Sequence, residues 1–317
     1  MTLSPLLAVL MVNLGYRAAR LKGKLGRALY TRCLSRSAPV AHNGRPLAAQ
    51  VYSLSCERDL PEQVANITLW LRHVGVPQQY TVISDGSYTA ASMELLHRLH
   101  PCVRVVPLVD FARPDLPAAV FRYAALNPMG KKLAVLLSLP LTEPTVYTDS
   151  DIVYFPAARA LAALLEQADG QNYYLADTYP SFDRRILHSE AEAADPINGG
   201  FIVLQRSLDW QLALQRFLAL EEPPNYFTEQ TMVHLTLHRD GAQPLERQRY
   251  IMELDDEFVY RDRYAHRPRV ILRHYVNPVR HKFWGNWGLL FGPLLAGGAR
   301  SRKIPTVLRL PQTGPQP

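Results

Sequence analysis

Val146-Tyr147-Thr148-Asp149-Ser150-Asp151-Ile152-Val153-Tyr154 is the stretch that decides how this chain is read. Short runs of Val, Ile, Tyr and Thr bounded by polar residues read as strands. Here such a run leads straight into two carboxylates one residue apart, and apolar residues then resume. Carboxylates at i and i+2 can reach one divalent cation together, and hard oxygen ligands suit Mn2+ or Mg2+. A cation that keeps open positions can clamp a diphosphate and neutralise the charge that develops as it leaves. The same pattern also fits a turn in which one Asp caps a helix. The apolar residues on both sides favour the metal.

Upstream of the motif, strands and helices alternate. Val51-Tyr52-Ser53-Leu54-Ser55 is β-rich, and Asp59 with Glu62 three residues later marks a helix start. Leu60, Val64, Ile67, Leu71 and Val74 follow at helical spacing. A second strand, Tyr80-Thr81-Val82-Ile83, ends at Ser84-Asp85-Gly86; a helix over 90–99 and a strand over 103–106 come next. This rhythm predicts an α/β fold, a mostly parallel doubly wound sheet with flanking helices. Ligands of such sheets bind at the carboxyl ends of the strands, so Ser53, Ser55 and Asp85 are candidate contacts.

With 317 residues the chain can bury a large core, and its formal net charge is +7. Residues 1–56 carry eight basic side chains and no acid, and residues 263–317 carry ten and no acid. Basic ends around an acidic middle suit phosphates or an anionic membrane, or simply a solvated surface. Leu3, Leu7, Leu10, Leu14, Ala18, Leu21, Leu25 and Leu29 share one helical face, with basic residues elsewhere on the helix. That stripe either packs on the domain or lies in a membrane interface. The apolar stretch near the start is too short to span a bilayer, and its positive charge follows it, unlike a secretory signal. The expectation is a cytoplasmic protein, peripheral on the inner face of the membrane where the stripe meets lipid. Three cysteines without ligand spacing argue against a disulfide framework or a zinc site. Nucleic acid is not an expected partner, because the basic ends lack interleaved aromatics. Asn66-Ile67-Thr68 matches a glycosylation triplet but sits within a helical pattern. The predicted organisation is a basic amphipathic segment over 1–45, one domain over 46–290, and a basic, proline-containing tail over 291–317.

The Asp149-Ser150-Asp151 segment resembles the Asp-x-Asp motif of GT-A glycosyltransferases, most nearly the family 8 galactosyl- and glucosyltransferases. Three further segments match in order: Lys131-Lys132 opening the preceding helix, Asn198-Gly199-Gly200 leading a strand, and Glu229-Gln230 at a helix start. A looser match is His274-Tyr275-Val276-Asn277-Pro278-Val279-Arg280-His281-Lys282-Phe283-Trp284. It resembles the family's late His-x-x-Gly-x-x-Lys-Pro-Trp segment, with Asn277 in place of Gly and Lys282 two residues late. The resemblance covers about residues 50 to 285.

The resemblance implies a GT-A fold and a nucleotide-sugar donor, by family default a UDP-sugar. It implies Mn2+ or Mg2+ held by Asp149, Asp151 and His274, with His281 a competing third ligand. Lys132, Ser150, Gly199, Gly200 and Lys282 would contact the donor, Lys282 and Arg280 through phosphate. Asn198, Glu229 and Gln230 would orient the sugar at the reacting centre, and retention of configuration is the family habit. The acceptor would be a glycan, with a lipid-linked or cell-surface glycan suggested by the membrane hint. Asp177 and Asp195 are placed to meet it. A sugar-1-phosphate nucleotidyltransferase would need a glycine-rich loop where Ser53-Leu54-Ser55-Cys56-Glu57-Arg58 stands. The alternative is a GT-A-shaped protein that has lost catalysis and binds a membrane or partner. Glu253, Asp255, Asp256 and Glu257 read as a solvated acidic face.

Overall fold

The computed structural model describes residues 5–34, 39–40, 42, 46–167 and 170–297; most of the tail expected over 291–317 lies outside them. The strands are β1 (Pro46–Ser55), β2 (Val76–Ser84), β3 (Val103–Pro107), β4 (Thr145–Thr148), β5 (Ile152–Tyr154), β6 (Tyr173–Ala176), β7 (Ile197–Leu204), β8 (Gln243–Pro244), β9 (Tyr250–Ile251) and β10 (Leu272–His274). The helices are α1 (Pro5–Cys33), α2 (Leu60–His73), α3 (Ala90–Leu99), α4 (Leu108–Phe111), α5 (Ala118–Leu126), α6 (Pro128–Leu137), α7 (Arg159–Glu166), α8 (Gln211–Leu218), α9 (Thr228–Arg239), α10 (Arg280–Phe283) and α11 (Trp287–Gly297). The early elements fall where the spacing predicts them, and α3 covers 90–99.

The main sheet runs β3-β2-β1-β4-β7-β6-β8. Its first four strands are parallel, and β7 alone runs antiparallel to both neighbours. Successive side chains of a strand face opposite sides. Val51, Val146 and Val203 accordingly join the core under α2, α3 and α7. Tyr52, Tyr147 and Ile202 join the core under α6 and α9. All eight positions of β7 are buried, as a central strand covered on both faces requires.

A second sheet, β5-β10-β9, is antiparallel between β5 and β10. The carboxylate motif is the junction between the two sheets, since β4 ends at Thr148 and β5 begins at Ile152. Its backbone is pinned from both sides. Asp149 N–H donates to the Gly200 carbonyl at 2.8 Å, and Tyr275 N–H donates to the Asp151 carbonyl at 2.9 Å. Asn66, fully buried on α2, donates its amide to the carbonyls of Asp149 and Ile152 at 3.2 and 2.9 Å. The glycosylation triplet is therefore an internal brace of the motif.

The acidic run 253–257 corrects its sequence reading. Asp256 is fully buried and accepts two hydrogen bonds from Arg273, at 2.6 and 3.0 Å. Arg273 also meets Asp262 and the Glu253 carbonyl, and its guanidinium lies over the rings of Tyr264 and Tyr275. Charge spacing alone did not distinguish a solvated acid from one facing a buried arginine 17 residues on.

Helix α1 packs through its small residues. A Cβ at Gly23 would stand 2.2 Å from the His281 carbonyl oxygen, and one at Gly26 would stand 3.0 Å from Trp284. Tyr30, 1% exposed, tilts against Trp284 and meets Phe291 edge-on, and Arg27 pairs with the buried Glu62 at 2.7 Å. The leucines therefore point the other way: Leu14 and Leu21 are 59% exposed, Leu25 54% and Leu29 42%. Of the two placements open in the sequence, packing of the stripe on the domain is excluded for these four. Among the described residues no helix is long and apolar enough to cross a membrane.

Removing one partner of a buried ion pair leaves an uncompensated charge, at a cost of about 3–5 kcal/mol. Arg273→Ala is expected to lower unfolding stability by about that amount, read from urea denaturation midpoints. Arg263→Ala, at the half-exposed pair with Asp255, is expected to change it by less than about 1 kcal/mol.

Candidate functional site

Two segments bring three candidate ligand residues to one point. Asp149 and Asp151 lie on the junction between β4 and β5, and His274 ends β10. One ligand atom from each lies within 4.8 Å of the others. His274 Nε2 stands 3.0 Å from Asp151 and 3.7 Å from Asp149. Its orientation is fixed from β7: Asn198 Oδ1 accepts from the Gly200 N–H, so the oxygen end of that amide also faces His274 Nδ1, at 2.9 Å. Nδ1 therefore carries the proton in the neutral ring, and the lone pair of Nε2 faces the carboxylates. A hydrogen bond holding the far nitrogen of an imidazole is a recurrent feature of metal sites. The donor set, two carboxylates and a neutral imidazole, fits a divalent ion.

Gly200 makes this geometry possible. A Cβ there would sit 2.2 Å from His274 Cε1 and 2.6 Å from Nδ1, inside the ring's own space. Gly199 is less tight; a Cβ would meet Glu229 Oε1 at 3.3 Å and Lys132 Nζ at 3.6 Å.

The charges around the cluster are mutually dependent. In the metal-free site burial works against the charge of Asp151, but a protonated His274 ring donating from Nε2, and then Arg280, outweigh it and hold the carboxyl below the usual carboxylate range. Lys132, from α6, donates to Asp149 at 3.0 Å and lies over the Tyr147 ring. Burial opposes its charge too, yet Asp149 and Glu229 raise its pKa. Glu229, on the first turn of α9, is 1% exposed, and its buried Oε1 has no hydrogen-bond partner. Burial pushes that carboxyl up to about 7; Lys132 opposes the shift and Asp149 adds to it.

Asp177, at the end of β6, accepts from Asn198 at 3.1 Å and from Gln230 at 3.3 Å. Asn198 and Gln230 thus share one buried carboxylate. Ser150 is buried within the motif turn. Ser55 and Asp85 lie at the carboxyl ends of β1 and β2, where Tyr88 donates to Ser55 at 2.8 Å and Lys131 reaches Asp85 at 3.3 Å. Asp195, just before β7, adopts a left-handed φ of 49°, and its carbonyl faces His238 Nε2 at 2.9 Å.

Two sequence-predicted contacts stand elsewhere. Ser53 is fully buried and donates to Gln63. Lys282 donates to the carbonyls of Val259 and Arg261 at 2.7 and 2.9 Å, on the Asp256 side of α10. Arg280, two residues earlier, instead reaches Asp59 at 2.9 Å and approaches Asp151 to 3.8 Å. His281 packs edge-on against Tyr16 of α1; His274 is the histidine that meets the carboxylates. Tyr147, to which the sequence reading assigned no role, also reaches the site: its hydroxyl donates to Asp149 at 3.0 Å. The period-2 rule carried that signal, because residues 147 and 149 leave the strand on one side.

The sheet order and the junction between the two sheets are those of the GT-A fold, which the chain shares with solved glycosyltransferases. The galactosyltransferase LgtC, in complex with donor and acceptor sugar analogues, is similar with a TM-score of 0.51 at 13% identity, over 81% of this chain and 97% of that one. An active-site mutant of LgtC gives 0.51 at 14% identity over the same shares. The glycosyltransferase GlyE of Streptococcus pneumoniae gives 0.50 at 13%, over 84% of this chain and 67% of that one. No protein-family model matches this sequence, and no curated protein matches it.

Gly200→Ala is expected to push His274 off the carboxylates and weaken divalent-cation binding, probed with Mn2+, at least about 10-fold, as disturbing a ligand's supporting contacts does, measured by calorimetric titration. Gly199→Ala should weaken it less. For Glu229, the folded pKa of about 7 lies above the ordinary 4.5. The stability associated with this group is fully present below about pH 4.5 and lost as pH rises through 7. In EDTA, Glu229→Gln should remove that slope and exceed the parent at pH 8 by about 3 kcal/mol, while matching it near pH 4.5. Denaturation curves at the two pH values decide it.

Proposed function

We propose that this chain is a metal-dependent glycosyltransferase that moves a hexose from a nucleoside-diphosphate sugar, a UDP-sugar by default, to an acceptor hydroxyl. The observation that carries the reading is the convergence of Asp149, Asp151 and His274 beside Asn198, with Gly200 leaving room for the imidazole. A divalent cation on this set, Mn2+ or Mg2+, would neutralise charge on the departing diphosphate.

The chain's own residues take the remaining roles. Arg280 offers a planar guanidinium suited to phosphate oxygens beside Asp151. Lys132 supplies a second, compact charge on the Asp149 side. Asn198 holds His274 through one end of its amide and Asp177 through the other, so the metal site and the sugar side are positioned by one residue. Glu229 and Gln230 open α9 next to them and would orient sugar hydroxyls. The proposal includes retention of anomeric configuration and a glycan acceptor, lipid-linked or on the cell surface. Ser55 and Asp85 stand at the strand ends where the nucleoside would lie.

The deciding experiment is binding and slow hydrolysis of a panel of nucleotide sugars, with Mn2+ and then with EDTA. Turnover of one donor with Mn2+ and its loss in EDTA is the expected result. Asp151→Asn should reduce that turnover by at least about 100-fold, beyond what loss of a supporting residue costs. An Asp151→Asn protein of normal activity would remove the metal assignment. Metal-dependent binding without turnover of any donor, with acceptors supplied, would favour the catalytically inactive alternative.

A further inference from the structure

We propose that α1 is a membrane-docking helix that seats the protein on an anionic lipid surface through its outward leucine stripe. The two sides of α1 are assigned by contact. Ala19, Gly23, Gly26 and Tyr30 face the domain and are buried, and the glycines allow no side chain. At 100° per residue, Leu14, Leu21, Leu25 and Leu29 fall on the opposite side, and all four are 42–59% exposed. Among the described residues nothing covers this exposed apolar stripe. Leu3, Leu7 and Leu10 continue the same spacing in the sequence.

Charge identifies the partner. Arg17, Arg20 and Lys24 flank the stripe on one side, Lys22 lies on the other, Arg32 follows it, and all five are exposed. No acid occurs before Glu57. An apolar stripe bordered only by cations matches an interfacial helix on anionic headgroups, with lysine and arginine stems reaching the phosphates. A second copy of the chain fits less well. Paired helices rely on opposite charges beside the seam, and here self-pairing would set cation against cation.

The placement of α1 adds a consequence that rests on the glycosyltransferase reading. Gly23 sits against the backbone of α10, the short helix that aims Arg280 toward Asp151. The metal site is therefore one helix away from the docking face, and a lipid-linked acceptor would be presented close to it.

The test uses the full chain and needs no donor, so its failure is distinguishable from failure of the catalytic reading. Vesicles of phosphatidylcholine with 30% phosphatidylglycerol, or of phosphatidylcholine alone, are floated through a density gradient at low salt. The parent should float with the anionic vesicles, and its partition should fall at least tenfold on neutral vesicles or in high salt. Leu21→Ser with Leu25→Ser should lower partition at least tenfold while leaving the unfolding midpoint unchanged, since both side chains are exposed. Arg17→Gln with Lys24→Gln should reduce anionic binding and its salt dependence. Equal flotation of parent and leucine variant, or a parent that stays in the soluble fraction, would overturn the proposal. So would a dimer, seen by light scattering, that the leucine variant dissolves without any vesicle binding.

Discussion

The structure depends on one steric fact: the imidazole of His274 occupies the space in which residue 200 would carry a Cβ. Two sheets meet at this point. The strand bearing Gly200 belongs to the large sheet and the strand ending at His274 to the small one, and the Asp-x-Asp turn connects them. A side chain at 200 would force the sheets apart or turn the ring away, and either movement would break the alignment of three ligating atoms. Packed interiors do not absorb overlaps of this size without displacement. The other polar contacts follow from this approach: Asn198 spans Gly200 and His274, and Asp177 then takes the free end of the Asn198 amide.

The site was legible in proportion to how local its residues are. Asp149 and Asp151 sit at a strand end that apolar spacing reveals, Asn198 and Glu229 were picked out by the resemblance, and the fold brings them together. The parallel half of the sheet was legible for the same reason, because β1, β2 and β3 each alternate with a helix of clear period. What stayed hidden depends on long-range pairing. Asn66 and the motif carbonyls are more than 80 residues apart, and a buried asparagine in a helix has no sequence signature of its own. Asp256 and Arg273 looked like separate surface charges until the small sheet placed them face to face. The His274 to Trp284 segment shows both cases. Its first residue was picked out by the resemblance, whereas the division of labour between Arg280 and Lys282 depends on which side of α10 each occupies.

The orientation of α1 shows the limit of periodicity as a signal. A leucine stripe ordinarily marks the face of a helix that turns inward, because burying one leucine contributes about 1.5–3 kcal/mol. Here close approach wins instead. Gly23 and Gly26 let the backbone of α1 touch that of α10 and the base of Trp284, and Tyr30 is buried between Trp284 and Phe291. The contacts of one large aromatic and two backbone-close glycines, with the Arg27–Glu62 pair, hold the helix without any of its four described leucines. Glycine lowers helix propensity by about 1 kcal/mol, a cost that makes sense at positions where no other residue fits.

Electrostatics at the site favour a cation more than geometry alone implies. Asp149, Asp151 and Glu229 are three acids brought within a nearly dry region, opposed by Lys132, Arg280 and His274. Two of the acids are paired: Asp151 faces His274 and Arg280, and Asp149 accepts from Lys132 and the Tyr147 hydroxyl. Glu229 has no such partner: one oxygen is unbonded, and burial first, with Asp149 adding to it against the pull of Lys132, raises its pKa, which leaves a place for further positive charge. A divalent ion beside Asp149 would supply that charge and draw the Glu229 proton off near neutral pH, since a nearby cation favours the carboxylate. Metal binding and ionisation of Glu229 are then linked events: each makes the other easier, and the proton released on binding is the thermodynamic signature of that link.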